Sequence, residues 1–304
     1  MTLTEMRYIV ALARERHFGK AAEACHVSQP TLSVALKKVE GQLGAALFER
    51  TASDVRITAL GERIVAQARR VLEEAVRLEE IAGSGGDPMT GPLRVGVIYT
   101  IAPYLLPQLI PALHRHAPAM PLFLKEDFTG NLIPALKAGE LDVIVIALPF
   151  AEPGLVAQPV YEEPFRVVVP AAHAWVGRTD VAADELDGEN LLLLGQGNCF
   201  RDQVLESCPR LTAPDALTHS LEGSSLETIR YMVASGAGVA VMPSTAADPL
   251  IDREPMVRVL PFAGEQPART VGLVWRVTFP RPQAIDAMRA AILSCQLPGA
   301  TAVR

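Results

Sequence analysis

The chain has 304 residues, of which 49% are hydrophobic, and its formal net charge is −6 at pH 7. This composition excludes a disordered or collagen-like chain, and no apolar stretch approaches the length needed to span a bilayer. Four scattered cysteines and no signal-peptide pattern exclude a disulfide-rich secreted scaffold, so we expect a soluble protein in a reducing, cytoplasmic setting. Residues 1–70 carry eleven Lys and Arg against seven Asp and Glu, which points to a polyanionic partner for this quarter alone.

The N-terminal quarter predicts three short helices. Apolar residues at helical spacing indicate a first helix from Met6 to Leu12. A pair of small side chains indicates a second, short helix from Lys20 to Cys25. Ser28 fits the N-cap of the third, and Pro30 is tolerated in its first turn. In that third helix the apolar residues occupy one face, and three polar residues four apart form a separate stripe: Gln29, Ser33 and Lys37.

Such a division is what a DNA recognition helix needs, because one stripe packs inward and the other offers donors to bases and phosphates. After it, residues 47–50 and 55–58 predict a short hairpin, or wing, whose Arg50 and Arg56 suit phosphate or minor-groove contact. Periodicity alone also fits a generic three-helix bundle with a polar outer face.

A longer motif makes the assignment specific. Its parts are Ala21-Ala22, then Val27-Ser28-Gln29-Pro30-Thr31-Leu32-Ser33, then Leu47-Phe48-Glu49-Arg50, in the order pair, turn, helix and wing. This order resembles the winged helix-turn-helix of the LysR-type transcriptional regulators. The resemblance implies that the protein binds a partly palindromic operator in double-stranded DNA and contacts RNA polymerase. It also implies that the protein forms a homodimer or homotetramer. It also implies a DNA-binding surface formed by Ser28, Gln29, Pro30, Thr31, Ser33, Lys37, Arg50 and Arg56.

A long helix is predicted from Thr58 to about Ala82, since no proline interrupts it. Its apolar residues alternate spacings of four and three, which is a coiled-coil seam: Ile64, Ala68, Val71, Ala75, Leu78 and Ala82. The helix could pack on its own body, but the family resemblance favours a dimerisation helix. Glycines around residue 85 then mark a hinge. We therefore predict a DNA-binding domain at 1–58 and a linker with hinge at 59–87.

From residue 91 to residue 304 strands alternate with helices, which predicts an α/β domain whose loops at the strand carboxyl ends face a ligand. The predicted elements include strands at Leu93–Ile98, Phe165–Val169 and Leu191–Leu194 and a short helix at Leu132–Ala138. The pattern resembles the two-lobed, periplasmic-binding-protein-like regulatory domain of the same family. That resemblance implies a first lobe at about 91–161 plus 268–304 and a second lobe at about 162–267. Thr100 and Thr129 follow the first two strands, where they could cap helices, line a pocket between the lobes, or do both.

The stretch from Gly195 to Cys208 contains two cysteines, Cys199 and Cys208, around a segment that could be helical. As regular helix it would hold them roughly 13 Å apart along the axis, whereas a disulfide needs Cα atoms within about 7 Å. The segment can therefore be a helix or contain the disulfide, but not both at once. A redox switch requires two such mutually exclusive states. The alternative is that both thiols are small buried hydrophobes.

Within the family, the sequence Asn198-Cys199-x-Arg201-Asp202-Gln203 with Cys208 nine residues on resembles members that sense hydrogen peroxide. The resemblance implies that Cys199 is the peroxidatic thiol and Cys208 the resolving one, with Arg201 favouring the thiolate. It also implies that Thr100 and Thr129 hydrogen-bond the peroxide and that Asp202 organises the pocket. Asn198 lies at the position where those members usually have histidine. No cofactor is implied, and the six histidines show no metal-ligand spacing with the cysteines.

Two other functions fit parts of the sequence. One is a LysR-type regulator with a metabolite effector between the lobes and incidental cysteines. The other is a thiol peroxidase that uses the same cysteine pair, although an enzyme has no need of the DNA-binding helices. The leading hypothesis is a non-enzymatic, DNA-binding regulator that responds to peroxide through a reversible disulfide.

Overall fold

The computed structural model describes residues 1–50, 55–83, 87–207 and 221–303. Cys208 and residues 84–86 of the predicted hinge lie outside these ranges. The chain divides into two compact units, one of residues 1–86 with 138–140, the other of residues 87–137 with 141–304.

The first unit is a helix-turn-helix with a wing, as predicted. Its elements are α1 (Leu3–Glu15), α2 (Phe18–Ala24), α3 (Gln29–Leu43), β1 (Phe48–Arg50), β2 (Val55–Ile57) and α4 (Ala59–Gly83). The two strands pair antiparallel, with Glu49 opposite Arg56. Buried apolar side chains from α1, α2 and α3 form its core, which Val65 of α4 joins.

Side-chain caps explain where these helices begin. The predicted N-cap Ser28 accepts a hydrogen bond from the Thr31 amide at 3.3 Å, and a proline lies in the first turn of α3. The α2 helix is capped by the His17 Nδ1 atom, which accepts from the amides of Gly19 and Lys20. Gly44 ends α3 with φ 66°, a left-handed conformation that glycine adopts without strain.

The wing is tied to α3 by one carboxylate. Glu40 Oε1 accepts from the amide nitrogens of Leu47 at 2.8 Å and Phe48 at 3.2 Å, at the point where the chain turns into β1. These two donors have side chains in the buried core, so the turn is held from both sides.

Replacing Glu40 with alanine is expected to destabilise this turn by about 1–3 kcal/mol, because two amides lose a charged acceptor. Hydrogen exchange at Leu47 and Phe48 in the full-length protein measures the change, and both amides should exchange faster. A Glu40→Gln control keeps one acceptor oxygen. Its exchange rates at these amides should lie between those of the unsubstituted protein and those of the alanine variant. Unchanged protection in the alanine variant would contradict the assignment.

The second unit begins with alternating strands and helices, as predicted. These are β3 (Leu93–Ile98), α5 (Ala102–His116), β4 (Leu122–Asp127), α6 (Thr129–Ala138), β5 (Val143–Leu148) and β6 (Leu155–Pro170). Next come β7 (Leu191–Leu194), α7 (Cys199–Ser207), β8 (Leu221–Gly223), α8 (Leu226–Ala234), β9 (Val239–Pro243), α9 (Ser244–Ala247), α10 (Leu250–Arg253) and β10 (Val257–Pro261). The last elements are β11 (Ala268–Arg276), α11 (Pro282–Leu293) and β12 (Thr301–Ala302).

All these strands join in one mixed sheet, in the order β4-β3-β5-β11-β6-β9-β7-β8, with β10 and β12 also pairing with β6. The strand predicted at Phe165–Val169 is much longer, because β6 runs sixteen residues and pairs with β11 at one end and β9 at the other. Two apolar cores flank this strand. The first gathers side chains between residues 93–161 and 271–292, and the second gathers side chains between residues 165 and 262.

Candidate functional site

Cys199 is the first residue of α7, directly after a tight turn from β7. The turn contains Gly197, whose φ of 90° is a left-handed conformation that glycine adopts without strain. The helix continues to Ser207, so the segment between the two cysteines is helical as expected. Eight helical steps place these ends roughly 12 Å apart along the axis.

The α7 helix is anchored by its buried face. Phe200 and Val204, four residues apart, belong to the second core. The preceding turn is closed by Asn198 Nδ2, which donates to the Gly195 carbonyl at 3.0 Å. Cys199 itself is half-buried and packs against the first core, so the start of α7 contacts both cores.

Three predicted pocket residues meet at Cys199. The Thr129 hydroxyl donates to the Cys199 sulfur at an Oγ1–Sγ distance of 3.9 Å. A small cavity adjoins this contact. The centre of a water-sized molecule can occupy about 10 Å³ of it, so the cavity has room for about one such molecule. Its walls are Ile98, Tyr99, Thr100, Asp127, Phe128, Thr129, Gly197, Asn198 and Cys199.

Thr100 is buried in the cavity wall and held by Arg269. The guanidinium donates from Nη1 to the Thr100 hydroxyl at 2.8 Å and from Nη2 to its carbonyl at 2.9 Å. Of the two alternatives for Thr100, it lines the cavity and does not cap α5, whose N-cap is Ile101. The α6 helix begins at Thr129, three residues earlier than predicted.

Arg201 and Asp202 lie on α7 but not in the cavity wall. Arg201 Nη1 donates to the Leu194 carbonyl at 2.8 Å, at the end of β7, and Asp202 is exposed. Two aromatic rings that the sequence reading missed, Tyr99 and Phe128, pack edge to face with centroids 5.1 Å apart. Each ring belongs to the residue directly before one of the two predicted threonines. This position next to a predicted pocket residue is the sequence signal that could have identified it.

The other two described cysteines differ from Cys199. Cys25 and Cys295 are also free thiols, and burial raises the pKa of each. Cys295 Sγ donates to the Ala291 carbonyl at 3.3 Å, which is an ordinary contact within the end of a helix. Neither lines the small cavity, and each packs against an apolar core.

The predicted DNA-binding residues lie at the start and along the outer face of α3. Ser28, Gln29, Pro30, Thr31 and Lys37 are exposed and Ser33 is half-buried. Ser28 also caps the helix, and its hydroxyl oxygen lies 2.8 Å from that of Thr31. In the wing, Arg56 is exposed on β2, and Arg50 ends β1.

The described ranges hold neither a metal-binding cluster nor a membrane-spanning helix. Within the described ranges, no three His, Cys, Asp or Glu side chains lie close enough together to hold a metal ion. No helix in those ranges is both long and apolar enough to cross a bilayer.

Comparison with known proteins places the chain in a family. Residues 3–62 match the model of the bacterial regulatory helix-turn-helix protein, lysR family, and residues 86–295 match the LysR substrate binding domain. The chain is 41% identical over 292 residues to the DNA-binding transcriptional dual regulator OxyR of Escherichia coli (strain K12), covering 96% of this chain and 95% of that protein.

Solved structures agree. A full-length OxyR from Pseudomonas aeruginosa with a cysteine-to-aspartate substitution matches with TM-score 0.74 and 52% identity, covering 98% of this chain and 99% of that one. A cysteine-to-serine OxyR from Corynebacterium glutamicum with H2O2 bound matches with TM-score 0.65 and 33% identity, covering 96% and 91%. The chain therefore belongs to the LysR family of bacterial transcriptional regulators and is a relative of OxyR.

Proposed function

We propose that this regulator senses hydrogen peroxide at Cys199 and converts the oxidation into a change of operator binding or transcription activation. The observation that carries the proposal is the free Cys199 thiol beside a cavity of about 10 Å³ that is also lined by Thr100 and Thr129. A space of that size has room for about one molecule as small as water or hydrogen peroxide.

The chemistry needs only the peroxide and two thiols. The Cys199 thiolate attacks one peroxide oxygen, the O–O bond breaks, and hydroxide leaves and takes up a proton to become water. The Cys199 sulfenic acid then condenses with the Cys208 thiol, which forms the disulfide and releases a second water. Both sulfurs are oxidised and the peroxide is reduced. The Thr129 hydroxyl, 3.9 Å from Sγ, would stabilise negative charge on the sulfur.

The signal is the loss of α7. Cys199 begins the helix and Ser207 ends it, so Cys208 follows at the far end. A disulfide requires the two Cα atoms within about 7 Å, so α7 must unwind to form it. Phe200 and Val204 would then leave the second core, and this repacking is the change that reaches the DNA-binding unit.

The DNA interface comprises the outer face of α3 and the wing. Partners are a partly palindromic operator, a second copy of the chain in a dimer or tetramer, and RNA polymerase. The α4 seam supports the second copy, because Leu78 of this seam is 70% exposed. The domains would be 1–58 for DNA binding, 59–87 for linkage and 91–304 for sensing, with lobes 91–161 plus 268–304 and 162–267.

A metabolite effector is the second candidate. A groove of about 890 Å³ is lined by residues of both cores' helices, among them Tyr104, Gln108, Glu227, Arg230 and Glu254. This volume is in the range of small-molecule sites. In that reading the cysteines are incidental and peroxide leaves DNA binding unchanged.

A peroxide titration of the full-length protein tests the proposal. We expect one equivalent of peroxide to remove two thiols per chain quickly, and no further turnover without a thiol reductant. Slow loss of one thiol, at the rate of an ordinary free cysteine, would exclude sensing and favour the metabolite reading. Continuous consumption of peroxide with a thiol donor, without any change in DNA binding, would favour a thiol peroxidase.

A further inference from the structure

Behind the cavity lies a fully buried ion pair. Glu163 on β6 is 0% exposed and Arg269 on β11 is 2% exposed, and Arg269 Nε donates to Glu163 Oε1 at 2.7 Å. Burying both charges is unfavourable unless each finds close partners. The hydrogen-bond partners of the two side chains therefore determine how this pair is held.

The two Nη atoms of the Arg269 guanidinium both donate to one residue, Thr100. Nη1 and Nη2 donate to the hydroxyl and the carbonyl of Thr100, which fixes both oxygens of that residue in a planar fork. Because the Thr100 hydroxyl oxygen accepts from Arg269, its own hydrogen must point elsewhere. Thr100 lines the small cavity, so its hydroxyl hydrogen is available to donate to a molecule bound there.

The carboxylate is fixed from its other side as well. Glu163 Oε2 accepts from the hydroxyl of Thr245 at 2.5 Å, and Thr245 is a buried residue of α9. Each oxygen of Glu163 therefore has a different partner, one on β11 and one on α9. The carboxylate cannot rotate without losing one of the two bonds.

Arg269 also contacts the residue that follows the thiol. Its guanidinium carbon lies 5.1 Å from the centre of the Phe200 ring, within the range of a cation–π contact. The position of this guanidinium thus bears on Thr100 in the cavity wall and on the first turn of α7.

We propose that Glu163 and Thr245 are positioning residues for the peroxide reaction, because together they hold Arg269 where it orients Thr100 toward the cavity. They touch neither the sulfur nor the cavity, and they act through Arg269. This inference rests on the proposed peroxide chemistry. It adds that α9, an element remote from Cys199 in sequence, controls the reactivity of that thiol.

A Thr245→Val variant tests the inference, because it removes one hydroxyl and keeps the shape. We compare two reactions of the thiol in the full-length protein, oxidation by hydrogen peroxide and alkylation by iodoacetamide. Loss of the orienting bond should lower the peroxide rate constant about tenfold and leave alkylation within about twofold. Thr245→Ser restores a hydroxyl and should restore the peroxide rate.

Two further variants complete the design. Thr270→Val makes the same chemical change at the half-buried neighbour of Arg269 on β11 and should leave both rates unchanged. Glu163→Gln keeps the shape and removes the charge, and it should slow oxidation at least as much as Thr245→Val.

The outcomes separate the two proposals. Equal effects of Thr245→Val on both reagents, or a lower unfolding temperature without any change in the rate ratio, would overturn the positioning role alone. If the unsubstituted protein showed no faster oxidation than an ordinary thiol, the sensing proposal would fail and the positioning role with it.

Discussion

Replacing Cys199 with serine is expected to abolish the response to peroxide. The hydroxyl of serine does not enter the sulfur oxidation sequence, so neither sulfenic acid nor disulfide can form. The substitution changes one half-buried atom at the start of α7, and the helix should persist because Phe200 and Val204 anchor it. Binding of the Cys199→Ser protein to its operator, measured before and after a peroxide pulse, should be identical.

Matched controls are available among the other thiols. Cys25 and Cys295 are free, and burial raises the pKa of both, which disfavours the reactive thiolate. Cys25→Ser and Cys295→Ser should therefore respond as the unsubstituted protein does. In Cys208→Ser the Cys199 sulfur should still consume one equivalent of peroxide and stop at a sulfenic acid that dimedone traps. A Cys199→Ser protein that still responded would show that the sensor is another group.

Replacing Gln29 with alanine should weaken operator binding by about 1–3 kcal/mol, the worth of one good bidentate contact to a base. Gln29 is exposed at the first position of α3, and a glutamine amide there can donate and accept on one base edge. Competition with altered operators measures the loss. Discrimination should relax at one base pair, while the affinity for unrelated DNA changes little.

Two variants on the same helix separate base reading from charge. Lys37→Ala removes an exposed cation, so it should weaken binding to all sequences and reduce the slope of log affinity against log salt by about one. Gln42→Ala repeats the glutamine change at the exposed far end of α3 and should leave affinity unchanged. If Gln29→Ala and Gln42→Ala behaved alike, the predicted orientation of α3 on DNA would be wrong.

Much of the architecture could be read from local patterns. The strands β3 and β7 were predicted at their observed bounds, because short apolar runs between turn residues favour buried strands. The N-cap at Ser28 could be predicted from its side chain, and the uninterrupted length of α4 from the absence of proline. The long strand β6 did not, because Pro159 and Pro164 interrupt its pattern and proline breaks a sheet ladder.

The structure shows how β6 accommodates those prolines. Its register with β11 shifts where Val271 pairs with Tyr161 and Gly272 pairs with Pro159, which leaves Val160 outside the ladder. The Val160 carbonyl instead accepts from the Val303 amide at 2.9 Å. Such a bulge depends on partners more than a hundred residues away, so the local sequence cannot predict it.

The site divides in the same way. Thr100 and Thr129 follow strands that lie side by side, so their proximity to each other could be expected from strand ends alone. Glu163 and Arg269 are 106 residues apart, and their pairing depends on β6 and β11 being neighbours. A buried charge inside a strand is the signal that could have drawn attention to them, but a partner cannot be named without the sheet order.

Hydrogen exchange along α7 tests the central claim most directly, because that helix and the disulfide are proposed to exclude each other. In the reduced protein, the amides from Val204 to Ser207 should be protected by helical hydrogen bonds. After a stoichiometric peroxide pulse, with the Cys199–Cys208 bond verified by mass mapping, we predict that this protection is lost. Equal protection in both forms, with the disulfide present, would contradict the account.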